Sequence, residues 1–99
     1  MKSEKVLQAA TRKSMRTSRS RLVIERALLL MKNSHFEEAD LLVSTELLFS
    51  GSDSELWLVA GLARIQKGNY RTALSAFQMS AWLDDNALAR TMIGELAAL

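Results

Sequence analysis

With 99 residues and about half of them apolar, the chain is long enough for one domain and too hydrophobic to stay unfolded. It has no cysteine, which excludes disulfides, thiolate metal sites and a cysteine nucleophile. The net charge of +2 hides an asymmetry: residues 1–21 carry seven basic side chains against Glu4, whereas residues 22–99 carry six basic against ten acidic. The chain therefore reads as a basic arm, residues 1–19, on a mildly acidic body, residues 20–99.

No apolar run reaches the ~20 residues that span a bilayer, and Val6-Leu7-Gln8-Ala9-Ala10 is too short and polar for a signal-peptide core. The expectation is a soluble protein without membrane insertion, not exported by a cleaved signal. Within the arm, Val6, Leu7 and Ala10 could form one amphipathic turn against a partner. Thr11 to Ser20 has no apolar stripe. From Arg21 the period becomes helical. Leu22, Val23, Leu29 and Leu30 form one face, and Ile24, Leu28 and Met31 an adjoining one. Asn33-Ser34 breaks the run, and Ser34 with Glu37 has capping-box spacing. A second helix follows through Phe36, Ala39, Leu42, Val43, Leu47 and Leu48. Ser50-Gly51-Ser52 ends it, and Ser52 with Glu55 repeats the capping-box spacing.

A third helix is predicted from about Asp53 to Lys67, closed by Gly68 at the left-handed C′ position, with Asn69 as the next cap. A fourth runs from Tyr70 to about Leu83. After the turn Asp84-Asp85-Asn86, a last helix runs from Ala87 to about Ala98. Helices of this length joined by two to four residues must fold back as antiparallel hairpins. The fold class is all-α.

A shift of 34 residues superimposes the two hairpins without a gap. Leu22 falls on Leu56, Val23 on Trp57, Ile24 on Leu58, Ala27 on Gly61, Leu28 on Leu62 and Met31 on Ile65. In the second helix Phe36 falls on Tyr70, Ala39 on Ala73 and Val43 on Phe77. Small residues mark where two backbones approach, and the larger ones fill the space beside them.

The second unit, Trp57-x3-Gly61-x6-Gly68-x-Tyr70-x2-Ala73-x3-Phe77-x2-Ser80, resembles the tetratricopeptide repeat family. The first unit is a degenerate copy, with Arg26 where the family has Leu. In the second, Arg64 replaces an aromatic and Asp85 stands near the usual proline. The resemblance implies a short array of two repeats, a C-terminal capping helix and a short N-terminal helix or arm. It also implies a concave face lined by the first helix of each hairpin. That row would be Ile24, Leu28 and Met31, then Leu58, Leu62 and Ile65, then Met92, Leu96 and Leu99. It holds no Lys or Asn to grip a peptide carboxylate. The implied ligand is an amphipathic helix with its apolar face down.

At this level the chain resembles the small cytoplasmic chaperones of bacterial type III secretion, in particular the class that holds the needle subunit. The resemblance implies a hetero-oligomer. The groove would clasp the C-terminal helix of the needle subunit and block premature polymerisation, while a small helical co-chaperone would pack on Val6, Leu7 and Ala10. The alternatives are a chaperone of the translocator proteins and a general adaptor.

No enzymatic role is expected, and no cofactor, metal or small-molecule substrate. His35, the only histidine, sits in a turn beside Glu37 and Glu38 without partners at ligand spacing. No Gly-rich phosphate loop or nucleophile constellation is present. The basic arm lacks aromatics for base stacking, so nucleic acid is not the expected partner. A transit peptide is a further reading of its Arg- and Ser-rich composition.

Overall fold

The computed structural model describes residues 19–99. Among them are five helices and no strand: α1, residues 19–32; α2, Phe36–Leu47; α3, Ser54–Gln66; α4, Tyr70–Leu83; and α5, Ala87–Ala97. α3 packs against both α2 and α4, and α4 against α5. The result is an array of two helical hairpins, α1–α2 and α3–α4, with α5 as a capping helix. The expected fold class is the observed one. Helix α1 already includes Arg19, one residue ahead of the expected boundary.

The core is built from small side chains. Ala27, Ala39, Val43, Leu56, Val59, Ala60, Ala63 and Ala76 form one buried cluster shared by α1, α2, α3 and α4. Phe77 is the largest fully buried side chain, and its place is set by Gly61. A Cβ built on Gly61 would lie 2.7 Å from two carbons of the Phe77 ring, closer than carbon atoms approach. At the equivalent place in the first hairpin a methyl group and a smaller partner stand together, Ala27 and Val43, both fully buried. Each hairpin therefore fills the same space with a different division of volume. Phe36 and Tyr70 contribute less than expected: Phe36 is half-buried and Tyr70 is 52% exposed. Tyr70 begins α4 at the turn end of the hairpin, just after α3 has ended.

The helix ends differ from the capping-box reading. Ser34 does not cap α2. It is the left-handed residue that ends α1, with φ 64°. Its N–H donates to Met31 O at 3.0 Å and the His35 N–H to Leu30 O at 2.7 Å. Gly68, its equivalent 34 residues on, has φ 81°, with the matching bonds Gly68 N–H to Ile65 O and Asn69 N–H to Arg64 O. Both are Schellman motifs. A residue that closes one helix in the left-handed region cannot also start the next, so His35 takes the N-cap position of α2 without a side-chain bond. The α3 cap is Asp53, not Ser52: its Oδ1 accepts from the N–H groups of Glu55 and Leu56. Asn86 Oδ1 accepts from Ala89 N–H and caps α5. The Trp57 indole N–H donates to Gly51 O at 2.7 Å and pins the α2–α3 turn.

The repeat symmetry also relates two junctions closed by different chemistry. In the second hairpin Ser54 and Ser80 exchange hydroxyl-to-carbonyl bonds of 2.9 Å. Their counterparts are Ser20 and Glu46. The nearly buried Glu46 carboxylate takes the Arg19 guanidinium at 3.0 Å, and Arg19 also lies 5.2 Å from the centre of the Phe49 ring.

Two stability outcomes follow from these contacts. Ser34→Gly should stabilise the fold by about 1 kcal/mol, because only glycine enters the left-handed region without steric cost, and Gly68→Ser should cost a similar amount. Gly61→Ala should cost about 1–3 kcal/mol by overpacking against Phe77. Adding Phe77→Val, which recreates the Ala–Val pair of the first hairpin, should give a total loss smaller than the sum of the two single losses. Urea unfolding followed by circular dichroism reads both sets.

Candidate functional site

The expected binding row comes from the first helix of each hairpin and from α5. On α1, Ile24 and Met31 are half-buried and pack partly on the core cluster, and Leu28 is 44% exposed. On α3, Leu58, Leu62 and Ile65 are half-buried, and on α5 so are Met92 and Leu96. Leu99 lies past the end of α5, exposed. On α1 and α3 the residues recur at i, i+4 and i+7, and on α5 at i and i+4, which keeps them on one side of each helix. None reaches the full burial of the hairpin-facing set, Ala27, Ala39, Gly61, Ala73 and Phe77. α1 and α3 share the core cluster, whereas α5 joins the array through α4. Val6, Leu7 and Ala10 lie outside the described residues.

The α1 pattern departs from expectation on its other side. Leu22 and Leu29, expected on a packed face, are 68% and 59% exposed. Their equivalents on α3, Leu56 and Ala63, are fully buried because α2 precedes and covers them. Among the described residues, no helix stands before α1 to do the same. Leu48 likewise lies beyond the end of α2, as its C-cap, and is exposed.

A polar junction absent from the sequence reading ties the two hairpins together. The Asp40 carboxylate on α2 accepts from Lys67 Nζ at 2.7 Å, Ser44 Oγ at 3.0 Å and Arg64 Nε at 3.3 Å. Arg64 also donates to Ser44 Oγ and to Thr72 O on α4, so one guanidinium links three helices. Glu37 adds a second, exposed carboxylate 3.4 Å from Lys67. Burial alone would raise the Asp40 carboxyl. The hydrogen bonds from Lys67 and Ser44 and the charges of Arg64 and Lys67 outweigh it and hold the group below its ordinary value. Lys67 is held above the ordinary lysine range, chiefly by its hydrogen bond to Asp40 and against partial desolvation. The signal in the sequence was Arg64 itself. It stands where the first hairpin has Leu30, and a charge that is largely covered calls for a carboxylate.

His35 is exposed, with Nδ1 3.7 Å from a Glu38 carboxylate oxygen. Among the described residues, no group of three or more His, Asp or Glu side chains could hold a metal ion, and no helix is long and apolar enough to cross a membrane. The surface carries two shallow grooves with apolar linings. One, about 360 Å³, lies between α1 and α2 and is lined by Arg26, Leu30, Glu38, Leu41, Leu42 and Thr45. The other, about 470 Å³, lies on α4 beside Met79 and Trp82.

No protein-family model matches the chain, and no curated protein matches it. The resemblance to the tetratricopeptide family rests on the residues quoted and on the gapless 34-residue shift.

Asp40 is more acidic in the fold than in the unfolded chain, so the stability it adds is fully present above about pH 4 and is lost as pH falls through its folded value. Lys67 has the opposite sign: its contribution is full below about pH 10 and is lost as pH rises through its raised folded value. Asp40→Asn should destabilise the protein by about 2 kcal/mol at pH 7, since it leaves Arg64 and Lys67, both largely covered, without their carboxylate. The same variant should lose less stability than the wild type between pH 5 and pH 3. Urea titrations at the three pH values test both statements.

Proposed function

We propose that the protein is a bacterial cytoplasmic chaperone that holds the amphipathic C-terminal helix of a type III secretion needle subunit along the concave row. The observation that carries the reading is the state of that row. Ile24, Leu28, Met31, Leu58, Leu62, Ile65, Met92 and Leu96 are apolar, helically spaced and left half-buried or exposed, while the hairpin-facing residues of the same helices are closed. An apolar row of this kind on a small domain favours a cover, and an amphipathic helix supplies one without any chemical step.

The mechanism is burial. A free needle subunit polymerises because its helix exposes an apolar face, and seating that face against the row removes the driving force. Release at the export apparatus requires that the affinity stay finite. A small helical co-chaperone completes the complex in this reading, on the N-terminal residues Val6, Leu7 and Ala10. No enzymatic step, metal or cofactor takes part. The same row would serve a translocator chaperone or a general adaptor, and these differ from the main reading in which cargo is kept soluble.

Leu62 stands in the middle of the row. Leu62→Asp should weaken cargo binding at least about 100-fold, equivalent to about 2.7 kcal/mol, by placing a carboxylate under the apolar face of the bound helix. The helical circular dichroism of the free protein should stay largely unchanged. Co-expression with a needle-type subunit provides the readout: the wild type should keep the subunit soluble and monomeric, and the variant should not. A wild-type protein that leaves the subunit to polymerise would refute the chaperone reading.

A further inference from the structure

The end of the array formed by α1 and α2 has the character of a stacking face, and among the described residues no helix stacks on it. The 34-residue shift equates Leu22, Arg26 and Leu29 with Leu56, Ala60 and Ala63. The three residues on α3 are fully buried, whereas all three on α1 are exposed. Beside them, α2 presents Leu41, also exposed, and the groove between the two helices is floored by Leu30 and Leu42. Isolated exposed leucines are ordinary; Leu22, Leu29 and Leu41, all exposed on two adjacent helices whose groove is floored by Leu30 and Leu42, are not.

Two features of the strip select its occupant. Arg26 stands where α3 has Ala60, so α1 cannot nest against a preceding hairpin as α3 does. This disfavours a head-to-tail continuation of the array by another copy. In addition, the groove is flanked by opposite charges on opposite helices, Arg26 from α1 and Glu38 from α2. Among the described residues, Arg26 has no ion pair and Glu38 has none with a lysine or arginine. Such a face is self-complementary. A two-fold axis through the groove sets Arg26 of one copy against Glu38 of the other, twice, with leucines between them.

We propose that the protein self-associates as a two-fold symmetric dimer through the α1–α2 end of the array, with Arg26–Glu38 pairs flanking a leucine strip. The dimer surface lies apart from the concave row, so the proposal does not rest on the cargo reading.

Sedimentation equilibrium of the full-length chain, from low micromolar to submillimolar concentration, tests it. The wild type should show a concentration-dependent monomer–dimer equilibrium. Arg26→Glu should weaken the dimer at least about tenfold, because the symmetry introduces two like-charge contacts. The double exchange Arg26→Glu with Glu38→Arg should restore the wild-type constant to within about threefold. Leu29→Asp should give a monomer with unchanged helical circular dichroism, whereas Leu62→Asp should still dimerise, which separates this surface from the concave row. A wild type that is monomeric throughout would overturn the proposal and leave the face to a different protein. A dimer indifferent to both Arg26→Glu and Leu29→Asp would also overturn it. Failure of the double exchange to restore association would overturn the two-fold pairing.

Discussion

The fold depends on how closely two helix backbones approach within each hairpin. In the second hairpin the approach is set by a missing side chain: Gly61 has only hydrogen where the edge of the Phe77 ring lies, and a Cβ would sit 2.7 Å from it. In the first, Ala27 and Val43 reach the same closure with the volume divided differently. Closely packed helices of this kind leave little room for bulky apolar side chains inside, and the central cluster is accordingly mostly alanine. The larger aliphatic residues are displaced to the flanks of the helices. The apolar row on α1, α3 and α5 and the leucine strip on α1 and α2 are both consequences of that displacement.

The two hairpins are joined by a charged seam as well as an apolar one. Asp40 gathers Lys67, Arg64 and Ser44 on the side where α2 meets α3, and Arg64 extends the contact to α4. Apolar packing is non-directional and tolerates sliding of one helix pair on another. A carboxylate with three donors on two helices fixes the register. The first hairpin has Leu30 at the position of Arg64 and Leu74 follows at the position of Asp40, so the seam is a feature of this junction and not of the repeat.

The repeat imposes a pattern whose meaning changes at the ends of the array. Leu22 and Leu56 are the same residue at the same repeat position, yet one is exposed and the other fully buried. The difference is a neighbour: α2 precedes α3, and no described helix precedes α1. The same reasoning explains Tyr70, placed at the edge of its hairpin after α3 has ended.

Periodicity, turn residues and the 34-residue shift determined the number of described helices, most of their limits and the pairing into hairpins, because these depend on local spacing and on the size of side chains that meet across one hairpin. Gly61 with Phe77, Gly68 as a left-handed stop and the boundaries of α4 were all legible in this way. Local spacing could not reveal which helix end owns a turn residue. Ser34 and Ser52 each had the spacing of a capping box, but Ser34 closes α1 in a Schellman motif, which leaves the α2 N-cap to His35, and the carboxylate of Asp53 caps α3. Nor could it distinguish a leucine facing a neighbour from one facing solvent, or find the carboxylate that answers Arg64 24 residues away. Those outcomes belong to the tertiary structure, since burial and ion pairing are set by what the next hairpin places opposite a side chain, and the next hairpin is not part of the local pattern.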